Sequence, residues 1–137
     1  LFAPDFVLES FEGKGPAMAQ SIFHRYGGFS KVSRVVSSFY DRVLDSPVTA
    51  PYFADIDMKR LIDHQTKFIA SLMGGPASYT QEHVERIHGP LGITEEAFYE
   101  TLELLKETLE DFDFAHEDIS KVAGEMMSFR TFVVSKA

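Results

Sequence analysis

The chain has 137 residues, 45% hydrophobic and 25% charged, which suits one domain with a buried core. A net charge of −8 repels phosphate backbones and argues against nucleic-acid binding. Without cysteine there are no disulfides, thiolate nucleophiles or iron–sulfur clusters, and no apolar run approaches the roughly 18 residues of a membrane span.

Leu1–Gln20 lacks the basic start and apolar stretch of a signal peptide, so the expected location is the cytoplasm. Pro4, Gly13, Gly15 and Pro16 leave the first sixteen residues irregular, and Ala17–Tyr26 reads as a short helix stopped by Gly27-Gly28. From Ser30, read as an N-cap, Val32, Val35, Val36, Phe39, Tyr40, Val43 and Leu44 form one amphipathic stripe. Asp45-Ser46-Pro47 ends it. Pro51-Tyr52-Phe53 is an aromatic corner. Asp57 then caps a helix whose apolar face holds Met58, Leu61, Ile62, Gln65, Phe68, Ile69 and Leu72, terminated at Gly74-Gly75-Pro76.

Residues 77–82 read as a loop and 83–88 as a short helix. Thr94 caps a long helix with Phe98, Leu102, Leu105 and Leu109 on one face; 113–118 reads as a connection, and a last helix runs from Ile119 to about Val134. No period-two segment or internal repeat appears, so the fold class is all-α. The acidic residues of 95–125 recur along helix faces and read as solvated.

Five residues carry the chemistry. His88 ends a short helix just before Gly89-Pro90, where it could either ligate a metal or cap the helix C-terminus at the surface. His64 flanks the apolar face of its helix and reads either as a second ligand or as a solvent-edge side chain. A zinc trio of His64, His83 and His88 is poorly aligned, since residues five apart do not share a helical face. Gln65 and Tyr40 are polar groups within apolar stripes of two different helices. They meet either in one Tyr–Gln hydrogen bond or around a polar guest. No phosphate loop, HExxH or nucleophile-elbow pattern is present.

Taken in register, Gly27-Gly28, Phe39-Tyr40-Asp41-Arg42-Val43-Leu44, Tyr52-Phe53, His64-Gln65, Phe68, Gly74-Gly75-Pro76, Tyr79 and Ile87-His88 resemble the truncated haemoglobins of group I. The resemblance runs from about Ile22 to about Val134. It implies a two-over-two helical sandwich around haem b in a globin domain over 21–137, with 1–20 an extension or linker. His88 then matches the proximal iron ligand. Phe53 matches the aromatic packed on the haem face, and Leu61, Phe68, Tyr79, Ile87 and Phe98 match further haem-lining positions. Tyr40 and Gln65 match the distal pair that hydrogen-bonds to the bound gas. Leu61 stands where many globins place a distal histidine. His64 matches a position that in some relatives supplies a sixth iron ligand, which implies a six-coordinate resting state. Two positions depart from the family pattern: Gln81 replaces a common glycine, and Ile69 stands where some relatives carry a gating phenylalanine.

The function implied is reversible binding of dioxygen, nitric oxide or carbon monoxide. An enzymatic version, dioxygenation of nitric oxide to nitrate, needs an electron-donating reductase that this chain does not contain. An alternative is a gas- or redox-sensing module of a larger signalling protein, prompted by the missing initiator Met and the unmatched leading segment. A purely structural helical module remains a third reading, and it predicts a colourless protein.

Overall fold

The structure is a computed structural model that describes residues 21–76 and 79–135. The leading segment 1–20, including the start of the helix expected at Ala17, lies outside the described residues, as do 77 and 78 of the expected loop. Among the described residues there are seven α-helices, two 3-10 turns and no strand.

A four-residue helix α1 (Ile22–Arg25) is capped by the Ser21 hydroxyl, which accepts from the His24 N–H at 3.2 Å. Gly27 and Gly28 follow with φ of +104° and +71°, a left-handed path that side-chain-bearing residues rarely take. Helix α2 (Phe29–Asp45) starts from Gly28 rather than from Ser30. The reason is that the Gly28 carbonyl already accepts from Val32 N–H at 3.1 Å, which places Ser30 inside the first turn. Its stripe is buried as expected except for Leu44, which is 41% exposed. The expected aromatic corner is a 3-10 turn, Ala50–Phe53.

Helix α3 (Met58–Leu72) is capped by Asp57, whose carboxylate accepts from Arg60 N–H at 3.2 Å. It ends at paired glycines. Gly74 has φ +81°, and a Cβ on Gly75 would sit 2.8 Å from the Ala70 carbonyl oxygen. Helix α4 (Gln81–His88) begins two residues earlier than the periodicity suggested, because the Thr80 hydroxyl caps it by accepting from His83 N–H at 3.1 Å. A 3-10 turn, Gly89–Leu91, follows, and then α5 (Glu95–Asp111), capped by Thr94 as expected.

The C-terminal helix differs most from expectation. It starts sooner, as α6 (His116–Met127), with the Ala115 carbonyl accepting from Asp118 and Ile119 N–H. It also breaks after Met127, and a separate four-residue α7 (Arg130–Val133) follows. At the break the Ser128 hydroxyl donates to the Glu125 carbonyl and Phe129 N–H bonds three residues back to Met126, so local bonds compete with the α-helical ladder.

Helix α2 packs on α3 and α5 on α6, with α2 also against α5 and α3 against α6. These two layered pairs make the two-over-two sandwich. Between them lies a core rich in Phe39, Phe68, Phe98 and Leu105, all at most 2% exposed. Each such side chain contributes roughly 1.5–3 kcal/mol by burial. One acidic residue departs from the expected solvated face. Asp118 is 1% exposed and binds both guanidinium nitrogens of Arg25, at 2.9 and 2.7 Å, and the Tyr26 hydroxyl at 2.8 Å. That cluster fastens α1 to α6, helped by Tyr26 stacking on Phe114 at 3.8 Å.

Candidate functional site

The short α4 carries His88 into the core as its last residue, 1% exposed. The ring Nδ1 lies 2.9 Å from the Val84 carbonyl, one turn back. A carbonyl only accepts, so Nδ1 carries the proton and Nε2 the lone pair of a neutral ring. Burial pushes the His88 pKa well below 6.5, outweighing the Val84 hydrogen bond that acts the other way. The imidazole is therefore held neutral in a fixed tautomer, the form in which histidine ligates a metal.

Helices α2 and α3 bring two polar groups into the same interior. Tyr40 is 1% exposed, and burial raises its pKa well above 10, so the phenol stays protonated and able to donate. Its ring meets Phe39 edge-on at 4.8 Å and Phe53 at 5.8 Å. Gln65 is 0% exposed, and neither amide atom has a hydrogen-bond partner among the described residues. The Tyr–Gln hydrogen bond of a sealed core is therefore not formed. Leaving such a group unsatisfied costs about 1–3 kcal/mol, which a protein retains where a polar guest completes the site.

Apolar side chains frame these groups. Phe53, Leu61, Phe68 and Phe98 belong to the same core cluster as Tyr40, with Tyr79 and Ile87 half-buried against it. The Phe68 ring meets Tyr79 at 5.2 Å and Phe129 at 5.8 Å. Burial moves the Tyr79 phenol up to about 12. His64 is half-buried and lines an open groove of about 610 Å³ together with Phe29, Ser33 and Lys67. His83 is buried, and its Nδ1 accepts from Arg86 Nη2 at 2.9 Å. Among the described residues no three His, Cys, Asp or Glu side chains are placed to hold a metal ion, so a zinc trio is not assembled.

Three features escaped the sequence reading. Phe129 reaches Phe68 only because the last helix breaks, which no periodicity announces. Arg86 and His83 pair three residues apart on a helix too short to show a polar face. The Tyr52 hydroxyl accepts from Thr94 N–H at 3.3 Å and donates to the Gly92 carbonyl at 3.4 Å. It thereby ties the turn bearing Phe53 to the loop after His88.

The arrangement suits a flat apolar group with a metal centre: an aromatic frame, one neutral imidazole, and a buried amide awaiting a polar guest. Comparison with known proteins agrees. A family model described as bacterial-like globin matches residues 21–135. The chain belongs to that family. Among its relatives, the group 1 truncated hemoglobin GlbN of Mycolicibacterium paratuberculosis is 32% identical over 118 residues, covering 86% of this chain and 85% of the relative. The protein of the same name from Synechocystis is 30% identical, over 76% of this chain and 87% of its own. The crystal structure of the truncated hemoglobin from Tetrahymena pyriformis in its Fe(III) form superposes with a TM-score of 0.77 at 26% identity, covering 85% of this chain and all (100%) of that one. The truncated-globin fold and group 1 membership expected from sequence are thus found, and with them haem with its iron as cofactor. Binding of diatomic gases at haem is what membership of this globin family implies. Among the described residues of this globin, no helix is long and apolar enough to cross a membrane.

Proposed function

We propose that this globin binds dioxygen, nitric oxide and carbon monoxide reversibly, with His88 as the proximal ligand of haem iron and Tyr40 and Gln65 as distal hydrogen-bonding groups. The observation that carries the reading is the Gln65 amide, fully buried and unsatisfied in an otherwise apolar wall. Haem supplies the iron site at which a diatomic gas binds and leaves. His88 offers Nε2 to that iron while Val84 holds the ring's orientation. Phe53, Leu61, Phe68, Tyr79, Ile87 and Phe98 exclude water from the macrocycle, which strengthens every electrostatic contact inside. Tyr40, kept protonated by burial, donates to a guest that gains negative charge on binding. Gln65 adds its amide N–H. His64, half-buried one position before Gln65, is the candidate sixth ligand when no gas is present. The expected partner is an electron donor that would keep the iron ferrous.

Oxygen dissociation from the ferrous protein tests the distal assignment. A hydrogen bond to a charge-bearing guest contributes roughly 1.5–3 kcal/mol, so Tyr40→Phe should release oxygen at least several-fold faster. An unchanged off-rate would show that Tyr40 does not contact the gas.

A further inference from the structure

Helix α4 carries His88 yet has only eight residues. Helices of that length have little stability of their own, so tertiary packing decides where the histidine sits. Among the described residues the helix it packs against most extensively is α7, which is itself only four residues long. Two marginal helices therefore hold each other, and the position of His88 depends on whatever anchors α7.

Four features supply that anchorage. Val133 is 2% exposed in the core, and the Phe129 ring lies 5.8 Å from Phe68. Arg130 forms an ion pair with Glu95 at the start of α5. Beyond α7, the Ser135 N–H donates to the Ile93 carbonyl at 2.7 Å. Ile93 is fully buried and follows the 3-10 turn after His88, so the tail is pinned to the same stretch of chain that leaves the histidine. The seam between α4 and α7 is not flush. A groove of about 360 Å³ opens along it, lined by Glu85 and Gly89 on one side and Thr131, Phe132 and Ser135 on the other.

We propose that α7 and Ser135 form a proximal clamp: the Ser135–Ile93 hydrogen bond and the α4–α7 seam position His88, so that the C-terminal segment tunes the bond from His88 to haem iron. Ser135 acts here as a positioning residue through its backbone. The inference rests on His88 being the iron ligand. Its physical basis is that the strength of an imidazole–metal bond follows the ring's orientation and distance, which the surrounding shell sets.

The substitution Ser135→Pro isolates the pin. It removes the N–H donor, and Val134 already has φ −72° and ψ 132°, the backbone region that a residue before proline prefers. Ser135→Ala keeps the N–H and serves as control. On the haem-loaded full chain, two quantities are measured: the iron–histidine stretching band of the ferrous protein just after carbon monoxide photolysis, and amide hydrogen exchange across α4 and α2. Ser135→Pro should shift the band and speed exchange in α4 about fivefold, the factor one net hydrogen bond confers, with α2 unchanged. Ser135→Ala should match the parent protein. An unmoved band in Ser135→Pro overturns the clamp whether or not α4 exchange speeds up, and so does Ser135→Ala moving the band as far. Should Ser135→Pro not fold, Arg130→Gln loosens the same segment and carries the same test in the same direction. His88→Gly separates the two levels of the argument. A stretching band that survives in it refutes the ligand assignment, whereas a band lost there but unmoved by Ser135→Pro refutes only the clamp.

Discussion

Replacing Gln65 by Leu should move stability and gas binding in opposite directions. The side chain is 0% exposed, with neither its Oε1 nor its Nε2 satisfied among the described residues. Its neighbours along the buried face of α3 are Leu61 and Phe68, so a leucine of similar size meets a matching apolar surface. In protein stripped of haem, the substitution removes the desolvation penalty of an unpaired amide and should stabilise the fold by about 1–3 kcal/mol. For a domain of this length that corresponds to a melting temperature higher by roughly 4–10 °C. In the ferrous, oxygen-loaded protein the same change deletes a distal donor to a charge-bearing guest, worth roughly 1.5–3 kcal/mol, so oxygen should leave at least several-fold faster. Thermal melts of stripped protein and stopped-flow oxygen displacement read the two arms. A Gln65→Leu protein that melts below the parent would mean the amide is satisfied in the fold. An unchanged oxygen off-rate would mean it does not face the gas.

Other consequences follow from the same geometry. If His64 is the sixth ligand, the ferrous protein without gas should show a low-spin absorption spectrum that His64→Leu converts to a high-spin one; a high-spin parent spectrum unchanged by His64→Leu excludes that role. The Arg25 guanidinium, followed by the Tyr26 hydroxyl, holds the Asp118 carboxyl below its ordinary value of 3.8. A carboxylate with a depressed pKa contributes stability above its unfolded pKa and loses it as pH falls further, so Asp118→Asn should be less stable than the parent at neutral pH. That gap should close below about pH 4 in denaturant melts across pH, and a gap that stays constant through this range would contradict the assignment.

The elements that could be read from sequence were those whose signals are local. Asp57 and Thr94 stand as N-caps because a short polar side chain before an apolar run satisfies orphan amides wherever the helix lies. Gly74-Gly75 ends α3 because backbone sterics there leave no room for a side chain. The start of α2 was misread for the converse reason: Ser30 looks like a cap, but the left-handed glycine pair lets the helix begin at Phe29. The break after Met127 was invisible because Val122, Met126 and Val133 keep an apolar pattern across it. The local bonds of Ser128 and Phe129, with the packing of the Phe129 ring on Phe68 and the burial of Val133, make two segments preferable to one. At the site, Tyr40 and Gln65 stood out as polar groups in apolar stripes, and both are buried. What sequence could not resolve was whether they satisfy each other, since that depends on the spacing of α2 and α3. Asp118 was read as solvated, because its partner Arg25 lies too far along the chain for any local pattern to link them.

The central claim is that His88 ligates haem iron. Its most direct test is the absorption spectrum of haem-reconstituted protein, reduced and carbon monoxide-bound, for the parent and for His88→Gly. The parent should take up haem and give the spectra of a histidine-ligated globin. His88→Gly should lose those features and regain them when free imidazole is added to fill the space left by the ring. Identical reduced and carbon monoxide spectra for the two proteins, without imidazole, would contradict the account.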